Sequence, residues 1–193
     1  MRRSGYTLIE FLLALGIFAA VGLALAASLR AGVDAWRKGE EAGRVNHEAR
    51  RVLEEMGLEL RNMISLPKKP LEGKQDLLSF DAVLDMEKAP GIFRVVYRVD
   101  QETGGLLREL RTYAKKEGEE EKPPKPLTAR PGRMVFEYPY PDPEVERTTL
   151  WKEEWESETK LPRGVRVRLT LQDRYGRAHA FLRTMWIPLG AWP

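Results

Sequence analysis

One acid inside an apolar run, two isolated histidines and three alternating carboxylates are the side chains of this 193-residue chain whose types and spacing could do chemistry. The acid is Glu10, in the stretch GYTLIEFLLALGIF from Gly5 to Phe18, and it is the only ionisable side chain between Tyr6 and Leu29. A carboxylate in hydrocarbon is costly unless a cation lies within reach, so the chemistry open to Glu10 is charge pairing. His47 opens the segment HEARR, which lacks the second histidine of a zinc-binding helix, and His179 has no partner nearby in sequence. Both read as surface or satisfied histidines. Asp142, Glu144 and Glu146 alternate as metal ligands can, but Pro143 and the lack of a turn glycine break the calcium-loop pattern. With no cysteine there is no disulfide or thiolate metal site. No nucleophile elbow or phosphate loop occurs, and Gly104 with Gly105 reads as a turn. Neither a catalytic residue nor a metal or cofactor is expected.

The element that must hold Glu10 is the apolar run itself. Phe11 to Leu29 is 19 residues without a charge, and at about 1.5 Å per residue it nearly crosses a hydrocarbon core of about 30 Å. Arg2 and Arg3 precede it and everything after Arg30 is densely charged, so the pattern is a soluble head on a membrane stalk, with the head facing away from the cytoplasm. The formal net charge is +3 from 32 Lys and Arg against 29 Asp and Glu; without Arg2 and Arg3 it is 30 against 29, or +1. Such a balance argues against a phosphate-tracking surface, and no nucleic acid partner is expected. Three readings of the amino end are open. One is a secretory signal peptide cut near the A-x-A-like Ala24, Leu25, Ala26, which would release a soluble binding protein after Ala26 or Ala27. A second is an unspecialised single-pass anchor, which gives no reason for Glu10. The third rests on the order of elements, taken up below.

Downstream, no proline occurs from Tyr6 to Leu66. Val45, Ala49, Val52, Leu53, Met56, Leu60, Met63 and Ile64 recur at three and four residues, which predicts one helix from Tyr6 to Ile64 with an amphipathic second half lying on a sheet. Gly32, Gly39 and Gly43 each weaken its middle by about 1 kcal/mol relative to alanine, so a bend or local fraying is expected there. Alternation then predicts strands at Leu77–Val83, Ile92–Val99, Leu106–Tyr113, Met134–Tyr140, Val165–Leu171 and Ala178–Ile187. Lys115 to Pro126, KKEGEEEKPPKP, reads as a solvated loop. Trp151 and Trp155 read either as a partner site or as a covering for the sheet. A helix followed by antiparallel strands makes the fold class α+β.

The amino end has a five-residue basic leader closed by Gly5, then an aromatic residue, Thr7, two aliphatics, Glu10 and the apolar block. This order resembles the class-III signal of the type IV pilin-like, or prepilin, family. The resemblance implies cleavage between Gly5 and Tyr6 by prepilin peptidase, N-methylation of Tyr6, and Glu10 at the family's fifth mature position. Tyr6 departs from the Phe or Met usual at the first mature position. Cleavage would create an α-amino group with a free pKa of about 7.7 to 8 at the positive end of a helix dipole, where a cation is unfavourable. Glu10, one turn along, could neutralise that amine or a neighbour's, and so set the register of an assembly.

RRVLEEMGLELRNMI in the helix, the YRV-turn-GGLLREL hairpin, Trp151, Trp155 and LPRGVRVRLTLQD are together similar to the J-type minor pseudopilin of type II secretion. With that resemblance the chain divides into a leader at 1–5, a membrane and assembly half-helix at 6–29, an amphipathic half at 30–66, and a β-rich periplasmic head at 67–193, whose charged loop at 115–126, read from its composition, has no place in the family pattern. It also implies I- and K-type minor pseudopilins, the major pseudopilin, prepilin peptidase and the inner membrane as partners, and a place near the tip of a short periplasmic filament. A minor pilin of a type IV pilus or DNA-uptake machine shares much of this layout and remains open at this point.

Overall fold

A computed structural model describes residues 7–66, 70–86, 89–100, 104–113, 123–141, 148–157 and 159–190. The chain divides into two compact units, Met1–Gly43 and Arg44–Pro193.

Helix α1 runs from Leu8 to Arg61, 54 residues, with Glu10 in its first turn and Arg61 in its last, the charge order that a helix dipole favours. Helical conformation continues through Gly32, Gly39 and Gly43, so the fraying expected there is not seen. The helix stops at Arg61, three residues earlier than its apolar period suggests. The Asn62 amide is shared between the Leu58 carbonyl at 3.2 Å and the Glu59 carbonyl at 3.1 Å, and the Asn62 carbonyl accepts the Val83 amide at 3.0 Å. Met63–Ile64 is therefore strand β1 and not helix; sheet pairing overrides a helical pattern once the backbone finds a strand partner.

The carboxy-terminal unit holds two antiparallel sheets. In the first, β1 and β2 (Leu71–Gly73) both pair with β3 (Leu77–Met86), followed by β4 (Ala89–Val99), β5 (Leu106–Thr112) and β6 (Lys125–Pro126). β6 corrects the expected loop: its last two residues pair with Leu107 and Arg108, and residues 115–122 of that loop lie outside the described residues. The second sheet has the order β10 (Ala178–Trp186), β9 (Gly164–Gln172), β7 (Gly132–Pro141), β8 (Thr149–Lys152). Two main-chain bonds stitch the sheets together, Phe136 amide to Gln75 carbonyl at 2.9 Å and Trp155 amide to Gly73 carbonyl at 3.0 Å.

The α1 stripe Val45, Ala49, Val52, Leu53, Met56 and Leu60 is buried in one core with Leu78, Phe80 and Ala82 of β3 and with Phe136 and Tyr138 of β7. On β9, Val165, Val167, Leu169 and Leu171 point into the same core while Arg166 and Arg168 point out, as the alternation predicts. Each such apolar side chain contributes about 1.5–3 kcal/mol of transfer free energy. Gly73 is required by this packing, because a Cβ there would overlap the Tyr138 ring. Trp155 is buried, donates from Nε1 to the Lys160 carbonyl at 2.9 Å and packs against Tyr140 with the two rings tilted by 47° and their centroids 5.1 Å apart. It covers the sheet. Trp151 is half-buried under the Arg166 guanidinium, 3.7 Å above its ring.

Polar contacts fix where the helix lies on this core. Glu59 is buried and its carboxylate accepts from Tyr97 Oη on β4 and from Arg108 Nη2 on β5. Arg108 Nε lies 3.6 Å from Glu55 Oε1, beyond hydrogen-bond reach. One turn nearer the amino end, Arg51 Nη2 donates to the Leu127 carbonyl at 2.5 Å. Glu48 accepts the Ala129 amide at 2.7 Å and Arg130 Nε at 2.9 Å, holding the strap that follows β6.

Candidate assembly site at the amino end

The first turn of α1 is built on Thr7 and Glu10. Thr7 precedes the helix, and its carbonyl accepts the Phe11 amide at 3.2 Å. The Glu10 amide donates to Thr7 Oγ1 at 3.4 Å, while the Thr7 amide donates back to Glu10 Oε2 at 2.9 Å and Thr7 Oγ1 to the same oxygen at 3.1 Å. This is a reciprocal capping box, T-x-x-E, which satisfies amides that a helix start leaves without partners. The T-x-x-E spacing is present in the sequence, and capping is a second task for Glu10 beside the charge pairing expected of it. Glu10 Oε1 accepts no hydrogen bond among the described residues. Gly5 and Tyr6 lie outside the described residues.

Every residue from Thr7 to Glu40 is exposed, including Leu8 at 78% and Phe18 at 79%. This helix is long and apolar enough to cross a membrane. Apolar side chains continue past the uncharged run to Val33 and Trp36, where Leu25, Leu29, Gly32, Val33 and Trp36 line a shallow groove along one side of the helix.

His47 is exposed on α1. His179 Nε2 lies 3.2 Å from Asp173 Oδ2, at the hairpin between β9 and β10. Asp173 also accepts the amides of Tyr175 and Arg177, each at 2.9 Å, and Arg177 Nε at 2.7 Å. Gly176, at φ 77°, completes the turn in the left-handed region. Although its shielding from water acts in the opposite sense, these donors hold the Asp173 carboxyl well below the usual carboxylate range. Burial, reinforced by the Glu59 carboxylate, pushes the Tyr97 hydroxyl well above its ordinary value near 10. Asp142, Glu144 and Glu146 lie outside the described residues, and among those described no three His, Asp or Glu side chains gather as a metal site would need.

The sequence profile described as "Type II secretion system (T2SS), protein J" matches residues 72–182, more than half of the chain. The chain belongs to the type II secretion protein J family. The match decides between the secretion and pilus systems that the amino end left open. Among solved structures, the crystal structure of the GspK-GspI-GspJ complex from the enterotoxigenic Escherichia coli type 2 secretion system is similar. It is 17% identical over 76% of this chain and 98% of that chain, with a TM-score of 0.47. No curated protein matches the sequence. The protein J family is one of minor pseudopilins, structural subunits with the α+β arrangement described above. Its profile lies wholly within the head, from β2 into β10, and does not reach α1 or Glu10.

Proposed function

We propose that this protein J family member is a non-enzymatic subunit at or near the tip of a type II secretion pseudopilus. It enters the inner membrane with its amino terminus cytoplasmic and its head periplasmic. Prepilin peptidase cuts between Gly5 and Tyr6 and Tyr6 is N-methylated. The mature chain then joins I- and K-type minor pseudopilins and the major pseudopilin to start assembly. The observation that carries this reading is a protein J head joined to a helix whose apolar residues from Leu8 to Leu29 have no cover of their own. The basic pair Arg2 and Arg3 supports the orientation.

Glu10 has two tasks in this reading. Oε2 closes the cap with Thr7, and Oε1 is left to take the ammonium created at Tyr6, its own or a neighbour's. The pairing offsets the cost of a cation at the positive end of the helix dipole. Intact mass and amino-terminal sequencing of the chain, expressed beside a prepilin peptidase, test the proposal. The expected product begins at Tyr6 and carries one added methyl group. A product beginning after Ala26 or Ala27 would mean a secreted soluble protein and overturn it.

A further inference from the structure

β10 is the terminal strand of its sheet, and among the described residues it pairs with β9 alone. Alternate N–H and C=O groups along its nine residues therefore point outward to no strand. Proteins commonly blunt such edges with lysine, proline or a bulge. β10, AHAFLRTMW, has neither lysine nor proline, and its register with β9 runs unbroken from Ala178↔Gln172 to Trp186↔Gly164. On its solvent face Leu182 and Trp186 are each 62% exposed.

Arg183 projects from the opposite face of the same strand and is half-buried. It makes no ion pair or hydrogen bond with any described residue. Across from it on β9 stands Val167, an apolar residue, and the other arginines of this hairpin are engaged elsewhere: Arg166 and Arg168, on the outward face, lie 3.5 and 3.8 Å from Glu137, and Arg177 is held by Asp173. A strand laid beside β10 would place one residue directly across from Arg183, where an opposite charge is favoured and a like charge is not.

We infer that β10 accepts an added antiparallel strand from another protein, with aliphatic side chains facing Leu182 and Trp186 and a carboxylate across from Arg183. The main-chain ladder supplies the binding and the alternating side chains the selectivity. β10 of a second copy does not fit, because β10 contains no Asp or Glu and no pairing of the two β10 strands sets a carboxylate against Arg183. The inference concerns the head and does not depend on processing at Gly5.

The test uses the full chain in detergent micelles and a fluorescein-labelled octapeptide alternating valine with threonine, one central threonine replaced by glutamate. Anisotropy should show saturable binding, and amide exchange along β10 should slow when the peptide is present. A peptide with lysine in place of the glutamate should bind about tenfold more weakly. Arg183→Glu should reverse that order, and recovered binding of the lysine peptide would itself show that the variant is folded. Leu182→Lys should abolish binding of both. Equal binding of the two peptides by the parent chain would overturn the acidic partner, and binding of neither would overturn strand addition. Protection of β10 that rises with protein concentration in the absence of peptide would overturn the partner in favour of self-association.

Discussion

Arg108 on β5 donates to Glu59 on α1 inside the core, and Tyr97 of β4 donates to the same carboxylate. A helix and a hairpin distant from it in sequence thus meet at one acid. Removing a single member of a buried ion pair leaves its partner charged and unpaired, at a cost of about 3 to 5 kcal/mol. Glu59→Ala is expected to lose that much in urea unfolding of the detergent-solubilised chain. Glu59→Leu combined with Arg108→Leu should recover most of the loss, because neither charge then remains to be solvated.

Alkaline pH should weaken the head through Tyr97. Its folded pKa is raised above the unfolded value near 10, so its contribution is fully present below pH 10 and is lost as pH rises beyond that value toward the folded pKa. Stability measured against pH should decline above about 10, and Tyr97→Phe should flatten the decline while lowering stability at neutral pH.

Asp173 has the opposite sign. Its folded pKa is depressed, so its contribution is complete above the ordinary carboxylate value near 3.9 and is lost as pH falls through the folded pKa. The gap in melting temperature between the parent chain and Asp173→Asn should be widest near neutrality and narrow steadily on acidification. A gap independent of pH would assign the turn's stability to shape and not to charge.

Gly73→Ala should destabilise by about 1 to 3 kcal/mol, the usual range for overpacking, because the added methyl would have to displace the Tyr138 ring. Tyr138→Phe leaves the ring in place and is not expected to relieve it, whereas Tyr138→Leu in the Gly73→Ala background should recover part of the loss.

Thr7 and Glu10 allow the cap and the charge to be separated. Thr7→Ala removes the side-chain half of the capping box, at about 1 kcal/mol, and keeps the acid. Glu10→Gln keeps an acceptor for the Thr7 amide and removes the charge. Co-purification with I- and K-type partners should survive Thr7→Ala and fail with Glu10→Gln. Failure of the threonine variant alone would make Glu10 a helix-capping residue and nothing more.

The amphipathic stripe from Val45 to Leu60 and the alternation of VRVRLTL were legible in the sequence because each repeats one period long enough to override local noise. Met63 and Ile64 were misread for the same reason. They extend the three-and-four spacing, and only the bond from the Val83 amide to the Asn62 carbonyl, between residues distant in sequence, takes the chain out of the helix. Strands as short as β1, β2, β6 and β8 carry too few residues to show alternation. The Glu59–Arg108–Tyr97 contact was illegible because charges spaced by helical turns look the same whether they face water or a sheet. At the amino end the T-x-x-E spacing was present, but one acid can serve two partners and spacing alone does not rank them.

The uncovered apolar shaft from Leu8 to Leu29 has a consequence for the life of the molecule. Its greasy surface tolerates two hosts, a lipid sheet or a sheath of sister helices, and water is neither. On the proposed function, leaving the first would have to coincide with entering the second, so recruitment and extraction would be one event, and a subunit that missed its neighbours would stay behind in the bilayer.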